Sequence, residues 1–289
     1  MLEALALPPS TPLDPSSKSC EWLRTFMSEA RETRVNDPEA VATYGRALLS
    51  SHTSRLSASE LWLVREQVAL AAFALGATSL SCGIVSAVHK RFPRGVRASR
   101  LAGMLAERSG DRRDAGALYA RELEVDPANA QLLKRRVAMS LEAQDGQQAV
   151  TLLKNYLTLN SQDWAAWEEL ADVYILQGAL PQAAFCLEEV LLHQPLAAGV
   201  LLKLAEALAS GQDKAGLRTA RSLFAAVVEL SAGSETRALY GVLAVSALLG
   251  KADSDELPAL CAQALRKRYA AQAPANVEML EAMLKAMGH

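Results

Sequence analysis

Apolar residues recur along most of the chain with a helical period, in paired runs separated by residues that break a helix. Between residues 167 and 195 (WEELADVYILQGALPQAAFCLEEVLLHQP), Trp167, Leu170, Ala171 and Tyr174 fall at i, i+3, i+4 and i+7, one face of a helix. Past Gly178 and Pro181, Ala183, Leu187, Val190 and Leu191 mark a second such face, and Pro195 stops it. The pattern predicts two antiparallel helices joined by a tight turn. Such a hairpin cannot bury its apolar faces alone, so it needs neighbours.

The neighbours lie at a fixed distance. Ala183, Ala149 and Ala115 are 34 residues apart, and Pro195, Pro127 and Pro93 sit on the same ladder with one rung missing. Gly178, Gly110 and Gly76 form a third ladder. The step that departs carries Gln144 and Ser161 in place of Gly and Pro. A helix–turn–helix period of about 34 residues with W-x2-L-A-x2-Y…A…P is the tetratricopeptide signature. The alanines are needed where the two helices of a hairpin approach closely. The predicted fold is all-α, a right-handed tetratricopeptide solenoid of antiparallel helix pairs.

The organisation follows from that register. Residues 1–18, rich in Pro and Ser, read as a disordered or loosely docked tail. Residues 19–61 read as an N-terminal helical cap, with Asp37 as N-cap and Pro38 at N1 of its second helix. Regular repeats occupy 62–234, beginning near 62, 96, 130, 164 and 198. The last has its second helix displaced by a three-residue insertion near GQDKAGL, judged from Ala220 and Phe224. Residues 235–289 read as a degenerate repeat and C-terminal capping helices, the last with Leu280, Met283, Leu284 and Met287 on one face.

Composition narrows the function classes. Of 289 residues, 51% are apolar and only 5% aromatic, which suits close-packed helices with a thin continuous core. A net charge of −2 leaves no global basic field for nucleic acid or anionic lipid. The N-terminus lacks the basic region and long apolar core of a signal peptide. Four scattered cysteines without C-x-x-C read as reduced structural thiols of a cytosolic protein. Val68 to Val88 carries no charge and is long enough to span a bilayer, but Gly76 falls at the turn position and serines dilute its second half. It reads as a buried hairpin rather than a transmembrane helix.

Chemistry-bearing motifs are absent. No phosphate-cradling glycine loop and no H-E-x-x-H occurs, and His52, His89, His193 and His289 are not paired at helical spacing. His89, at the place of Leu123, Leu157 and Leu191, reads as a packed, hydrogen-bonded core histidine. Adjacent carboxylates such as Glu168–Glu169 diverge on a helix. No catalytic, metal or cofactor site is expected. The first helix of each repeat offers a groove face: Arg97, Arg100 and Met104, then Gln131, Lys134 and Ala138, then Ala165, Glu168 and Asp172, then Gly199, Leu202 and Glu206. Arg135 and the segment KRFPRGVRASR deepen its basic end. These charges either solubilise the surface or hold a partner segment of complementary charge. The clamp that grips chaperone tails, with Asn at repeat positions 6 and 9, is not reproduced, because Leu101, Met104, Arg135 and Ala138 stand there. Trp167 is expected in the core between repeats, where truncation to alanine costs about 3–5 kcal/mol.

Several blocks are more specific than the repeat consensus. Arg91–Pro93, Gly103–Met104, Asp126–Pro127, Lys134–Arg136 and the run from Trp167 to Glu189 containing AAFCLEE resemble, in this order, the subunit 2 family of the endoplasmic reticulum membrane protein complex. The resemblance covers roughly residues 20–250. It implies a non-catalytic cytosolic scaffold, peripheral on the endoplasmic reticulum membrane, in a complex that inserts tail-anchored and other transmembrane segments. Implied partners are cytosolic segments of membrane subunits and a soluble metalloprotease-like subunit, with membrane association through them. The alternative is an adaptor for chaperones or trafficking partners.

Overall fold

The computed structural model describes residues 15, 18–33, 37–211, 213–250 and 256–288. The tail assigned to residues 1–18 lies almost wholly outside them, as does His289. Among the described residues all regular structure is helical, in fifteen α-helices and short 3₁₀ turns such as Thr53–Arg55 and Pro274–Asn276. The first four are α1 (Cys20–Glu32), α2 (Pro38–Ser51), α3 (Ala58–Ala74) and α4 (Thr78–Arg91). Next come α5 (Val96–Arg108), α6 (Arg112–Val125), α7 (Ala130–Glu142) and α8 (Gly146–Leu159). They are followed by α9 (Trp164–Leu176), α10 (Leu180–His193), α11 (Ala198–Ser210) and α12 (Lys214–Leu230). The chain ends in α13 (Thr236–Leu249), α14 (Leu257–Gln272) and α15 (Val277–Ala286). The fold is that of the tetratricopeptide proteins.

The period is visible in the helix starts. First helices begin at 96, 130, 164 and 198, and second helices at 78, 112, 146, 180 and 214, each a 34-residue step. The start of α12 at Lys214 corrects the expectation of a three-residue insertion before it. Leu217, buried, takes the ladder place of Ala183, and α12 is instead three residues longer than α10 at its far end. That extension, with Gly233 in the left-handed region at φ 72°, delays α13 to 236.

Local chemistry explains the punctuation. Gly76, Gly110 and Gly178 end first helices with φ of 70°, 84° and 71°, the left-handed conformation of a helix C-cap. In each case the next residue's N–H reaches back five residues, as Ala179 donates to Tyr174 O at 2.9 Å. Gln144 departs in sequence but not in backbone: it adopts φ 59°, and Asp145 N donates to Ser140 O at 3.0 Å. The turns between repeats bring Gly95, Asn129, Asp163 and Ala197 N–H onto the carbonyls of Phe92, Asp126, Asn160 and Gln194. Pro93, Pro127 and Pro195 are residue i+1 of such turns, where a fixed φ suits. Asp37 caps α2 by accepting from Ala40 N at 3.0 Å, with Pro38 following. Ala115, Ala149 and Ala183 are fully buried, as the close approach of paired helices requires.

The chain divides into two compact units, residues 1–139 and 140–289, the division falling inside α7. In the first unit α1, α2 and α3 share a core of Leu23, Phe26, Met27, Tyr44, Leu48 and Val68, in which Trp22 and Phe26 stack at 5.4 Å. Val68–Val88 is split between α3 and α4 by the turn at Gly76. Among the described residues no helix is long and apolar enough to cross a membrane. In the second unit, one core joins Leu201, Leu217, Phe224, Leu239, Leu243 and Leu265. Leu280 and Leu284 of α15 are buried in it, with Met283 and Met287 packed alongside.

A capping box starts α3: Ser57 Oγ accepts from Glu60 N, and the Glu60 carboxylate accepts from Ser57 N. Arg24 of α1 reaches the same carboxylate at 2.5 Å. These hydrogen bonds, from Arg24 first and then Ser57, hold the Glu60 carboxyl down at about 2. Because the folded value lies below the usual one, the contribution is complete above about pH 4.5 and fades as pH falls towards 2. Both side chains are well exposed, so the effect is modest. Glu60→Gln is expected to lower the urea midpoint near neutral pH by an amount that shrinks on acidification. A gap between variant and wild type that stays constant down to about pH 2.5 would contradict this origin.

Candidate partner-binding surface

In the first unit, Arg97 and Arg100 emerge from α5 beside Glu66 of α3. Arg100 Nη2 lies 2.8 Å from Glu66, and the two side chains are only 15% and 16% exposed. Arg100 also donates to Gln131 of α7, while its Nε is buried without an acceptor. Arg97 is 72% exposed and touches Glu66 at 3.5 Å. Arg135 of α7 forms a two-pronged pair with Glu107 of α5, and Tyr119 Oη donates to the same carboxylate at 2.5 Å. Burial works against the Arg135 charge, but the bonds to Glu107 outweigh it and hold its pKa above the ordinary arginine value. Burial and then Glu107 push the Tyr119 phenol upward. Lys134 is exposed on the same helix.

The second unit repeats the device. Lys203 Nζ of α11 sits 2.9 Å from Glu168 and 2.8 Å from Asp172, both on α9. Partial burial opposes the ammonium charge, yet its bonds to Asp172 and Glu168 raise the Lys203 pKa. Arg237 of α13 grips Glu206 of α11 at 2.7 and 3.1 Å. Groove residues named from sequence, among them Arg100, Arg135, Glu168 and Asp172, are therefore bonded to partners on the neighbouring first helix. Sequence reasoning missed those partners, Glu66, Glu107 and Lys203. The available signal was an opposite charge about one repeat away, at separations of 34, 28, 35 and 31 residues.

The structural residues fall mostly where the ladders place them, with two corrections. Trp167 is only half-buried. Its indole donates to Ser161 O at 2.9 Å, and its ring lies edge-to-face with the exposed Phe185 at 6.1 Å. Both line an open cleft of about 660 Å³ between α8 and α10, floored by Leu170 and Tyr174, so the indole faces that cleft rather than a core between repeats. His89 is half-buried beside Asp111 and Asp114 in another open cleft, and its Nδ1 has no hydrogen-bond partner. It is packed, but not the hydrogen-bonded core residue expected. The cysteines are all free. Cys20, Cys186 and Cys261 are buried, while Cys82 is exposed on α4 and has no structural core to serve. Burial pushes the Cys186 thiol up to about 11.

The family model for the EMC2 TPR-like repeat domain matches residues 85–220. ER membrane protein complex subunit 2-A of Xenopus laevis is 31% identical over 222 residues, covering 77% of this chain and 74% of that protein. The chain belongs to the ER membrane protein complex subunit 2 family. ER membrane protein complex subunit 2 of Dictyostelium discoideum is 26% identical over 184 residues, 63% of this chain and 57% of that protein. The C-terminal part of a TPR repeat-containing protein from Cytophaga hutchinsonii superposes with a TM-score of 0.62, covering 91% of this chain and 98% of that one, at 13% identity. That likeness speaks to the fold alone. Two blocks of the family resemblance occupy identifiable places in this subunit 2 family member: Gly103 lies against Tyr119, and Phe185 and Cys186 of AAFCLEE line the 660 Å³ cleft.

Proposed function

We propose that the chain is a non-catalytic scaffold subunit of the endoplasmic reticulum membrane protein complex, working on the cytosolic face of the membrane. Its first-helix faces hold cytosolic segments of membrane subunits and a soluble metalloprotease-like subunit, and thereby support insertion of transmembrane segments. The observation that carries the reading is the 31% identity across 222 residues to a relative named for that complex. The ion pairs between successive first helices support it physically. Within each unit they tie neighbouring first helices together, α3 to α5 and α5 to α7 in the first, α9 to α11 and α11 to α13 in the second, which limits the ordering cost of binding. Arg97 and Lys134, exposed on α5 and α7, are the proposed partner contacts, while Arg100, Arg135, Glu168 and Asp172 set the register of the repeats.

The test is affinity purification of the tagged chain from gently solubilised membranes, followed by cross-linking mass spectrometry. A stoichiometric set of polytopic membrane proteins, with cross-links near Lys134, is expected. Recovery of soluble chaperones alone would overturn the scaffold in favour of an adaptor.

A further inference from the structure

Between Glu66 and Glu107 the chain contains no acidic residue, yet it carries Lys90, Arg91, Arg94, Arg97 and Arg100. The fold gathers much of this charge around one apolar cleft in the first unit. The cleft, of about 480 Å³, lies where the end of α4 and the start of α5 meet α3, and Trp62, Val88, Phe92, Val96 and Leu101 line it. Trp62 and Phe92 meet edge-to-face at 5.3 Å. The Arg65 guanidinium lies over the Trp62 ring at 4.4 Å, and that of Arg91 over Phe92 at 5.1 Å. Arg97 stands at the mouth, and Arg94 is exposed in the turn between the two helices. The one carboxylate lining the cleft, Glu66, is already bound by Arg100 at 2.8 Å. Among the described residues no carboxylate pairs with Arg65, Arg91 or Arg94.

We infer that this cleft docks an acidic segment of a partner protein through one bulky apolar side chain, with flanking carboxylates bound by Arg91, Arg94 and Arg97. The inference rests on the scaffold reading and names the chemistry of the segment held. An arginine stacked on an aromatic face keeps its in-plane N–H donors free, so ring contact and carboxylate capture are compatible. The apolar floor supplies burial, and the cationic rim selects against neutral and basic segments. A lipid surface fits less well. Trp62 is half-buried inside the cleft, where a single side chain can enter and a broad headgroup layer cannot.

The probe is a synthetic amphipathic helical peptide of about 16 residues with leucines at i, i+3, i+4 and i+7 and glutamates elsewhere, followed by fluorescence anisotropy with the full chain. Two control peptides replace every Glu by Lys, or every Leu by Ala. The acidic leucine peptide should bind at least about tenfold more tightly than either control, with the advantage falling as salt rises. Arg91→Glu with Arg94→Glu, both at exposed positions, should remove that preference, and Phe92→Ala should weaken binding by a similar factor. Lys267→Glu in α14 should change nothing. Should circular dichroism show the charge-reversed variant misfolded, Arg91→Gln with Arg94→Gln carries the same expectation. Equal binding of acidic and basic peptides, or binding indifferent to the arginine variants, overturns the proposal. Capture by phosphatidylserine-rich vesicles in place of the peptide does so too. The membrane purification separates the two readings. If wild type and the arginine variant recover the same membrane proteins, the cleft assignment falls and the scaffold stands. If wild type recovers none but keeps the charge-selective peptide binding, the scaffold falls and the cleft stands.

Discussion

Tyr119→Ala is expected to destabilise the protein by about 3–5 kcal/mol, and Trp167→Ala by only about 1–2 kcal/mol, although tryptophan is the larger residue. Tyr119 is fully buried between α5 and α6, packs with Leu123 and Leu132, and donates its hydroxyl to Glu107. Truncation opens a cavity enclosed by rigid helices and leaves Glu107, whose side chain is 8% exposed, with one donor fewer. Trp167 lines an open cleft, so water fills the space its ring vacates and little cavity cost arises. Its losses are one hydrogen bond to Ser161 O and the edge-to-face contact with Phe185. Urea titrations followed by far-ultraviolet circular dichroism would rank the two variants, and a Trp167→Ala penalty equal to or above that of Tyr119→Ala would refute the assignment. Tyr119→Phe should cost far less than Tyr119→Ala, at about 1 kcal/mol, because it removes the hydroxyl and keeps the ring.

The same contrast shows which parts of the molecule were legible in the sequence. The alanine ladder was readable because close helix approach admits only small side chains at Ala115, Ala149 and Ala183, and all three are buried. The proline ladder was readable because a turn residue with fixed φ has few substitutes. Gln144 shows the limit: its backbone adopts the left-handed turn without the glycine that announces it. Aromatic residues were less legible. Helical periodicity places Trp167 on the inward side of α9 but cannot say whether α8 and α10 close over it, and they leave a cleft. Charges were least legible. Arg100 and Glu168 were assigned to a groove from their own helices alone, while their behaviour depends on Glu66 and Lys203 in neighbouring repeats. The cationic cleft was half visible, since KRFPRGVRASR stood out as basic. Its aromatic floor required Trp62, which precedes Phe92 by thirty residues.

Gly103→Ala is expected to destabilise the first unit by about 1–3 kcal/mol, against the helix preference that normally favours alanine over glycine by about 1 kcal/mol. A Cβ added at Gly103 would lie 2.4 Å from Cε1 and 2.5 Å from Cζ of Tyr119. Tyr119 has nowhere to go: its ring is buried and its hydroxyl is tied to the Glu107 carboxylate that Arg135 also grips. Gly116, in α6 of the same unit, supplies the internal control. Its added Cβ would meet only Met139 Cε at 3.9 Å, so Gly116→Ala should stabilise by roughly 0.5–1 kcal/mol. Opposite signs from one substitution type separate packing from propensity, and a stabilising Gly103→Ala would mean that α5 and α6 are not as close as described. A double-mutant cycle completes the argument. With Tyr119→Leu in place, the clash disappears, so the Gly103→Ala penalty should shrink to near zero or reverse. The glycine in the family's Gly-Met block is then explained by one aromatic ring on the facing helix, because the ring and its hydrogen bond to Glu107 need the space that any side chain at 103 would fill.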